Sequence, residues 1–412
     1  MVRRRPQPFP WSTKRAAPEP GSSPCSPSWC RSRDSNPDGR YTHYALNVAR
    51  LPIPPLRRGK MQYTNGRRIR ATRGALATGA LVVPHSPTLV AMRVLVTGSN
   101  GLLGTKLLEL LLRQPEVQAI GISRSPCSNS HLGPFRFWQV DLAERSTAER
   151  VFERAQPEVV LHTAAMTDVD ACERQPRRAW RENVEATRLV ALAAKRVGAR
   201  LVHLSTEYVF DGTAGPYSEA DSPNPLCVYG RTKLASEEVV LETLPGSAIA
   251  RTTVLFGYAP NTRANFVTGL LARLRASQKV RVVTDQVGSP TLADNLARMV
   301  WTLGRDSSAL GVFNAVGASV MDRYRFGVLV ANVFDLDQGL IEPTDTASLR
   351  QVAPRPLKAG LLMDKFRTRY PQVPVLSAQE ALEELRGQLH VYAGGKAGSR
   401  RGGIDFATRM FG

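Results

Sequence analysis

The amino-acid sequence predicts an α/β fold, in which a parallel sheet is covered by helices on both faces. Short apolar runs alternate with segments of helical spacing through the middle of the 412-residue chain, as expected of parallel strands joined by helical crossovers. Hydrophobic residues make up 42% and charged residues 22% of the chain, an ordinary composition for a globular enzyme. This composition excludes collagen, a coiled coil and wholesale disorder.

The strands of the main sheet are predicted from five short apolar runs, at residues 93–97, 117–122, 159–162, 201–204 and 248–253. The apolar residues between them recur with helical spacing, which predicts helices at residues 101–113, 146–155, 180–197 and 229–244. We therefore expect residues 92–257 to form one sheet-containing domain.

The regular alternation ends at about Tyr258. Helical spacing continues at residues 266–276, 294–303, 324–333 and 378–389, with only short strands between these segments. This pattern predicts that residues 258–392 form mainly a smaller, discontinuous lobe, with some segments returning to the sheet.

The two ends of the chain differ from its middle. Residues 1–91 hold 13 of the 29 prolines, and their 16 Lys+Arg against 3 Asp+Glu supply most of the formal charge of +20. Such a segment cannot bury enough apolar surface to offset its ordering entropy. We expect residues 1–91 to be a disordered or non-native extension, the working protein to start at Met92, and residues 393–412 to be a flexible tail.

Several classes of protein are excluded by what the sequence lacks. No apolar stretch approaches the roughly 18–20 residues of a membrane helix. The sequence shows no basic face with interleaved aromatic residues, the pattern typical of nucleic-acid binding. The five cysteines form no CxxC pair, and no Cys/His spacing suits zinc, so we expect a reducing cytoplasm.

A glycine-rich segment follows the first predicted strand and opens the first predicted helix. Gly98 permits a tight turn, Gly101 lets the backbone approach a pyrophosphate, and Gly104 lets the helix pack close to the strand. The free N–H groups at the helix start favour anionic phosphates. Because the strand and the helix are both present, a dinucleotide site is favoured over an ordinary glycine-rich turn, and the fold class becomes a Rossmann-type doubly wound sheet.

The second strand ends at Ser123, where a carboxylate would bind the ribose hydroxyls of NAD. Arg124 follows, which favours NADPH through a charge-assisted contact to its 2′-phosphate, although NADH and a solvated loop arginine stay open. After a third short strand, Asp141 and Leu142 are candidates for the adenine edge, with a plain turn as the alternative.

A candidate catalytic set lies further along the chain. Tyr229 and Lys233 are four residues apart on one helix face, and Thr206 ends the strand before them. Hydride delivery to a ketone creates an alkoxide that needs a proton, which a tyrosine can donate. We expect the lysine cation to draw the pKa of the tyrosine down toward the working range, and the threonine hydroxyl to hold the carbonyl oxygen.

The chain resembles the extended short-chain dehydrogenase/reductase superfamily and, within it, the dTDP-4-dehydrorhamnose reductase family. The similarity runs from Met92 to about Leu389. It rests on TGSNGLLG at 97–104, HTAAMTDVDACE at 162–173, ENVEAT at 182–187, STEYVFDG at 205–212, VYGRTKLASEE at 228–238, DQVGSPT at 285–291 and APRPLKAGLLMDKF at 353–366.

The resemblance implies a role for each matched residue. Tyr229 would be the proton donor, Lys233 its partner and a ribose ligand, and Thr206 would adjust the carbonyl. The implied cofactor-binding residues are Gly98, Asn100, Gly101, Leu102, Leu103, Gly104, Ser123, Arg124, Asp141, Leu142, Ala164, Ala165, Met166, Thr167, Tyr229 and Lys233. The implied substrate-binding residues are Thr206, Glu207, Thr253, Asn265, Asp285, Gln286 and Arg355.

Some positions depart from the family pattern or receive a plainer interpretation. The family usually has Asp where Glu207 stands and Asn where Cys227 stands. Lys106 replaces one glutamate of a magnesium-bridged dimer found in some members, so we expect no metal.

His162 and His203 are interpreted as packed or hydrogen-bonded, and the arginines at 177, 178 and 181 as a solvated helix face.

The resemblance implies an NADPH-dependent reductase of a nucleotide-linked 4-keto sugar, most simply one that converts dTDP-4-dehydro-L-rhamnose to dTDP-L-rhamnose. A sugar-nucleotide epimerase or dehydratase would retain NAD, and the lack of an acidic residue at position 123 counts against it. The third hypothesis is a non-catalytic NADP-binding subunit like the methionine adenosyltransferase beta subunit. We expect a nucleotide sugar as the partner, neither nucleic acid nor a membrane, and leave a homodimer open.

A chain that begins at Met92 is expected to fold and to keep its activity, because the buried strands start there. Thermal unfolding followed by circular dichroism, together with NADPH titration and assay, would test this against the full chain. Failure to fold, or loss of activity, would show that the first 91 residues belong to the working protein.

Overall fold

The computed structural model describes residues 91–394, with side chains up to Tyr392. The expectations for the N-terminal extension and for the C-terminal tail lie almost entirely outside this range. None of the helices within it has both the length and the apolar character needed to cross a bilayer.

The described strands are, in chain order, β1 (Met92–Thr97), β2 (Val117–Ser123), β3 (Arg136–Gln139), β4 (Val159–His162), β5 (Arg200–Thr206), β6 (Ala248–Thr252), β7 (Leu255–Phe256), β8 (Val280–Val283), β9 (Val287–Gly288), β10 (Thr291–Leu292), β11 (Gly311–Asn314), β12 (Met321–Asp322) and β13 (Ile341–Thr344). The described α-helices are α1 (Leu102–Leu111), α2 (Arg145–Ala155), α3 (Val169–Arg174), α4 (Pro176–Trp180), α5 (Ala186–Val197), α6 (Val228–Thr243), α7 (Phe266–Arg275), α8 (Ala293–Arg305), α9 (Arg323–Val333), α10 (Asp364–Arg369) and α11 (Ala378–Gly394).

Seven strands form one sheet in the order β11-β6-β5-β4-β1-β2-β3, and every neighbouring pair is parallel. The predicted α/β fold with a doubly wound parallel sheet is therefore confirmed. After β3 the chain crosses back to place β4 on the other side of β1. At such a reversal the loops leave the carboxyl ends of the two strands in opposite directions and open a crevice.

Helices cover both faces of the sheet, which explains why the central strands are continuously apolar. In β1, Val94 and Val96 face a core shared with α1 and α8, whereas Leu95 faces a core shared with α2, α5 and α6. All three residues are fully buried. Successive side chains of a strand point to opposite faces, so a strand buried on both sides needs an apolar residue at each position.

The C-terminal half of the chain contributes to two cores. Helix α8 packs against α1, and Phe313 of β11 and Phe366 of α10 lie in the same sheet core. A second core surrounds Phe256 and Phe326 and involves α7, α9 and α11. Three two-stranded ladders, β10-β7, β12-β9 and β13-β8, lie beside this second core. Each ladder joins segments distant in sequence, which is why the strand–helix alternation becomes irregular after Tyr258.

The segment predicted as one helix over residues 180–197 is interrupted. Helix α4 runs into a π-helical turn at Arg181–Glu185, and α5 continues from Ala186. A π turn inserts one extra residue and redirects the side chains that it carries, and such turns recur at functional sites. Here the turn carries Glu182 and the buried Asn183, both of which bear on the site described below.

Gly104 is expected to be intolerant of a larger residue. A methyl group there would overlap the Gly98 carbonyl oxygen and would lie 2.7 Å from Ser99 Cα. Overpacking of this kind costs about 1–3 kcal/mol, so Gly104→Ala should lower the free energy of unfolding by about that amount in chemical denaturation.

Gly269→Ala is the matched control for this prediction. Gly269 is also helical, in α7, but an added Cβ would have no atom within 4 Å. Exchanging glycine for alanine inside a helix stabilises it by up to about 1 kcal/mol. Equal effects of the two exchanges would show that close packing at Gly104 is not limiting.

Candidate active site

A cavity of about 610 Å³ opens at the carboxyl ends of β1, β2, β4 and β5, above the reversal of strand order. Its walls come from the glycine-rich turn, from the ends of these strands and from the start of α6. Segment 262–265 and Arg323 close it from the side of the second core. A cavity of this size and place is typical of a cofactor and substrate site.

The glycine-rich turn fits a pyrophosphate. Gly98 has a φ of +64°, and a Cβ there would lie 2.8 Å from the Ala164 backbone, so the turn requires glycine. No side chain caps α1, which leaves its first N–H groups, those of Leu102, Leu103 and Gly104, without intrahelical partners. Gly101 precedes them in extended conformation and is exposed. The four residues from Gly101 to Gly104 line the cavity and could hold an anion.

Asn100 is not among the residues that line the cavity. Its side-chain amide donates to the Ser125 hydroxyl at 2.9 Å and to the Pro126 carbonyl at 2.7 Å, and its oxygen accepts from Ser128 N. Asn100 therefore holds the loop that follows β2, beside the predicted phosphate site.

The far end of the cavity is lined by Ser123, Arg124, Asp141 and Leu142, the residues that we expect to face the adenosine half of the cofactor. Arg124 Nη1 lies 2.7 Å from a Glu182 oxygen, and this bond raises the pKa of Arg124. The Arg124 side chain remains about half exposed.

Two residues interpreted as part of a solvated helix face also border this end. Arg178 Nε lies 2.7 Å from the same Glu182 oxygen, and Arg181 Nη2 lies 2.9 Å from Asp141 Oδ2. Arg124, Arg178 and Arg181 thus surround two carboxylates, which leaves an excess of positive charge suited to a phosphate. The contribution of Glu182 was missed as a site residue, although the quoted segment 182–187 contains it.

The loop after β4 contains the residues that are predicted to line the ribose region of the cofactor. Ala164, Ala165 and Thr167 line the cavity, whereas Met166 is buried beneath it. Asn183 fixes this loop, because its side-chain oxygen accepts from Met166 N at 2.7 Å and its amide donates to Thr232 Oγ1 at 3.0 Å. The π turn thereby ties the loop to α6.

The three predicted catalytic residues line one wall of the cavity. Thr206 is the last residue of β5, and Tyr229 and Lys233 lie in the first two turns of α6. The start of α6 is capped from α3, where Glu173 Oε2 accepts from Val228 N at 2.9 Å. All three side chains are at least nine-tenths buried.

Burial raises the pKa of Tyr229 above its usual range, and the Glu207 carboxylate adds to this effect, whereas a hydrogen bond with Thr206 opposes it. The sequence led us to expect that Lys233 lowers this pKa. In the structure Lys233 is not among the main causes that set this pKa, and its ammonium lies 3.1 Å from His203 Nε2. The phenol is therefore protonated at neutral pH, the state that a proton donor requires.

Burial also lowers the pKa of Lys233 to about 8, with the Glu237 carboxylate acting in the opposite direction. Glu237 is itself paired with Arg251 at 2.7 Å, and both side chains are almost fully buried. Lys233 is thus a cation close to its titration range at neutral pH, whose charge is sensitive to small changes around it.

Glu207 links the predicted catalytic threonine to Thr253, which follows the neighbouring strand β6. Its two oxygens each lie 2.7 Å from a hydroxyl, that of Thr206 and that of Thr253. Burial raises the pKa of Glu207, although both hydrogen bonds and the nearby Arg323 cation favour its charged form. The carboxyl group thereby fixes the orientation of the Thr206 hydroxyl.

The predicted substrate residues divide into two groups. Thr206, Glu207, Thr253 and Asn265 line the cavity. Asp285, Gln286 and Arg355 do not line it. Asp285 and Gln286 bond Thr346, and Arg355 bonds Asp170 at 2.9 Å, so these three hold loops of the lobe in place. Arg323 lines the cavity and was not predicted, because no motif marks it.

Metal ligands are not brought together in the part of the chain that the structure describes. No group of three or more His, Cys, Asp or Glu side chains there is arranged to hold an ion. Lys106, at a predicted departure from the family, is instead buried between Glu109 at 3.0 Å and Asp294 at 3.3 Å.

Comparison with known families gives one match, over residues 92–389, to the RmlD substrate binding domain. The chain belongs to this family. The resemblance to dTDP-4-dehydrorhamnose reductases that the motifs indicate is therefore confirmed. The RmlD family is one of NADP-dependent oxidoreductases, which agrees with the glycine turn and the Tyr229–Lys233 pair.

Individual relatives of the RmlD family agree in fold and differ in role. The crystal structure of dTDP-4-dehydrorhamnose reductase from Bacillus anthracis, in complex with NADP, has a TM-score of 0.65 at 28% identity and covers 72% of this chain and 99% of that chain. The probable dTDP-4,6-dihydroxy-2-methyloxan-3-one 4-ketoreductase of Streptomyces antibioticus is 35% identical over 67% of this chain and 88% of its own length. Methionine adenosyltransferase 2 subunit beta of Pongo abelii is 34% identical over 67% of this chain and 82% of its own length.

Arg124→Ala is expected to weaken NADPH binding about tenfold and to leave NADH binding unchanged. A hydrogen bond to a charged group contributes about 1.5–3 kcal/mol, and the half-exposed position of Arg124 favours the lower end. Fluorescence titration with both cofactors measures the effect, and Arg150→Ala on the exposed face of α2 serves as the control. An equal loss of affinity for NADPH and NADH would contradict a phosphate contact.

Proposed function

We propose that the protein reduces the 4-keto group of a nucleotide-linked deoxysugar with NADPH, most simply converting dTDP-4-dehydro-L-rhamnose to dTDP-L-rhamnose. The observation that carries the proposal is the convergence of Tyr229, Lys233 and Thr206 on one wall of the cavity that the glycine turn opens. Membership of the RmlD family supports the same reaction.

NADPH, when bound, supplies the hydride that reduces the carbonyl carbon. Tyr229 donates its phenolic proton to the alkoxide oxygen that this transfer creates. The charge left on the phenolate is stabilised by the Lys233 ammonium on the same helix face. Because burial disfavours an isolated phenolate, this step depends on the lysine remaining charged.

Thr206 orients the carbonyl oxygen of the substrate. The protonation state of Glu207 determines whether the Thr206 hydroxyl can donate its proton to that oxygen. While Glu207 is charged, the Thr206 hydroxyl donates to it at 2.7 Å. When Glu207 is protonated, its own O–H can donate to Thr206 Oγ1, which frees the threonine proton for the substrate. Burial raises the pKa of Glu207, which makes the protonated form easier to reach than for an exposed glutamate.

Arg323 supports a substrate that carries a phosphate. Its guanidinium lies on the Phe266 ring, 5.2 Å from the centroid, and borders the cavity. Within residues 91–394 this side chain has no hydrogen-bond or ion-pair partner. A half-buried cation on the substrate side of the cavity favours the diphosphate of a nucleotide sugar over a free sugar.

A second candidate is a regulatory subunit that binds NADP without turnover. The similarity to methionine adenosyltransferase 2 subunit beta favours it. The complete set of Thr206, Tyr229 and Lys233 favours the reductase, because a regulatory role has no chemical need for all three. An epimerase or dehydratase is disfavoured because β2 ends in Ser123 and not in the carboxylate that would bind the ribose hydroxyls of NAD.

Tyr229→Phe is expected to lower kcat by about 10²–10⁴-fold and to leave NADPH affinity unchanged, because only the proton donor is removed. Loss of NADPH absorbance in the presence of a panel of nucleotide keto sugars measures the rate. Tyr258→Phe is the control, since its ring packs on Tyr392 outside the cavity and it should retain full activity.

The same assay separates the two candidates. A wild-type protein that binds NADPH, oxidises it with none of the keto sugars and raises the activity of a methionine adenosyltransferase catalytic subunit would establish the regulatory role. Under that outcome Tyr229→Phe should have no effect on the partner's activity.

A further inference from the structure

Two buried imidazoles lie behind the catalytic lysine, on the side away from the cavity. His203 of β5 and His162 of β4 are paired in register, and their rings stack with centroids 5.2 Å apart at 27°. Both are fully buried. Only His203 contacts Lys233, and comparing its hydrogen bonds with those of His162 defines the role of His203.

His162 has both ring nitrogens satisfied. Nδ1 lies 2.7 Å from Thr97 Oγ1, and Nε2 lies 3.0 Å from Thr187 Oγ1. The Thr187 hydroxyl donates to the Asn183 carbonyl at 2.7 Å, so its oxygen must accept from an Nε2–H group. His162 is therefore a neutral ring with its proton on Nε2, and burial lowers its pKa to about 3.

His203 differs, because only Nε2 has partners. It lies 3.1 Å from Lys233 Nζ and 2.9 Å from Ser236 Oγ. The Ser236 hydroxyl donates to the Lys233 carbonyl at 2.6 Å, so no hydroxyl proton is left for the ring. A charged lysine at this distance must donate, so Nε2 accepts and the ring proton lies on Nδ1, which is buried without a partner in the described chain.

We propose that His203 is a positioning residue for Lys233. Nε2 accepts one of the three ammonium protons and holds the side chain in place, which leaves the other two N–H groups for the cavity that Tyr229 lines. Since Nδ1 has no partner to receive a proton, the ring holds the ammonium and does not conduct a proton away from it. The unsatisfied Nδ1 is retained because turning the ring to satisfy it would remove the acceptor from Lys233.

The charged groups around His203 and Lys233 favour the neutral form of His203, which can accept a hydrogen bond from the lysine. Burial, the Lys233 charge and the neighbouring His162 hold the pKa of His203 well below its usual range, which favours the neutral ring. Glu237 is the carboxylate that acts on Lys233, and Arg251 of β6 neutralises much of its charge. The hydrogen bond to His203 therefore affects the pH at which Lys233 loses its charge.

The test compares variants of His203 by their pH profiles. With Lys233 titrating near pH 8, wild-type kcat/KM should fall above that pH as the ammonium is lost. His203→Leu removes the acceptor that stabilises the charged form, so the alkaline limb should move down by about one pH unit, a tenfold change in the protonation constant. His203→Gln restores an acceptor near Nζ and should return the limb toward the wild-type position.

His162→Gln is the matched control, because it removes the neighbouring buried ring without touching Lys233. It should lower the thermal unfolding temperature and leave the alkaline limb in place. If His203→Leu leaves the limb unmoved, or if both variants move it equally, His203 has only a packing role.

Two readouts are independent of the sugar, since the activity measurement rests on the proposed function. The pH dependence of NADPH affinity, from fluorescence titration, should shift in His203→Leu as the activity limb does. ¹⁵N spectra of histidine-labelled protein, assigned with the Gln variants, should show the Nδ1–H tautomer for His203 and the Nε2–H tautomer for His162. The Nε2–H form at His203 at pH 7 would overturn the proposal, whereas inactivity toward every keto sugar would overturn only the proposed function.

Discussion

The reversal of strand order between β1 and β4 is the constraint on which the site depends. Because every strand of the sheet is parallel, their carboxyl ends meet at one edge, and the reversal keeps loops from covering that edge at its centre. The glycine turn, the loop after β4 and the end of β5 therefore face one cavity, although more than a hundred residues separate Gly98 from Thr206. The position of α6 beside β5 then brings the tyrosine and the lysine to the same edge.

A framework of buried polar contacts holds α6 at that edge. Asn183 ties the helix to the loop after β4, Glu173 caps its first turn, and the Glu237–Arg251 pair anchors it to β6. Two buried charges that satisfy each other in this way gain little net stability, but each would be costly without the other. The pair therefore restricts where the helix can lie, and it also sets the potential at Lys233.

Local motifs could be predicted from the sequence, and contacts between distant segments could not. The glycine turn and the Tyr229–Lys233 spacing are each contained within one strand–helix unit, so a pattern of a few residues suffices. Asp285 and Arg355 were predicted to face the substrate because the segments that contain them resemble family motifs. In the structure Asp285 accepts from Thr346 and Arg355 pairs with Asp170, and sequence spacing does not reveal such partners.

The same limit applies to Arg323, which sequence reasoning left out, and to His203, which it interpreted as packed or hydrogen-bonded without identifying its partner. Arg323 reaches the cavity only because α9 packs beside the second core, and His203 meets Lys233 only because α6 lies against β5. Both placements depend on tertiary packing, which local sequence spacing does not reveal. The alternation of strands and helices predicted the sheet itself correctly, because it reflects the burial of each strand on both faces.

Strand β11 completes the sheet and α8 covers part of one face, but both elements come late in the chain. This order determines how the chain can fold as it leaves the ribosome. One face of the sheet is covered by α1 and α8 together, and β11 forms its last strand, yet these two elements follow β7 to β10 of the lobe. When β6 has emerged, the part of that apolar face that α8 covers is still exposed to water. The sheet and the second core around Phe256 and Phe326 therefore cannot fold independently, one after the other. The nascent sheet remains vulnerable to aggregation until residue 314 is available to complete it.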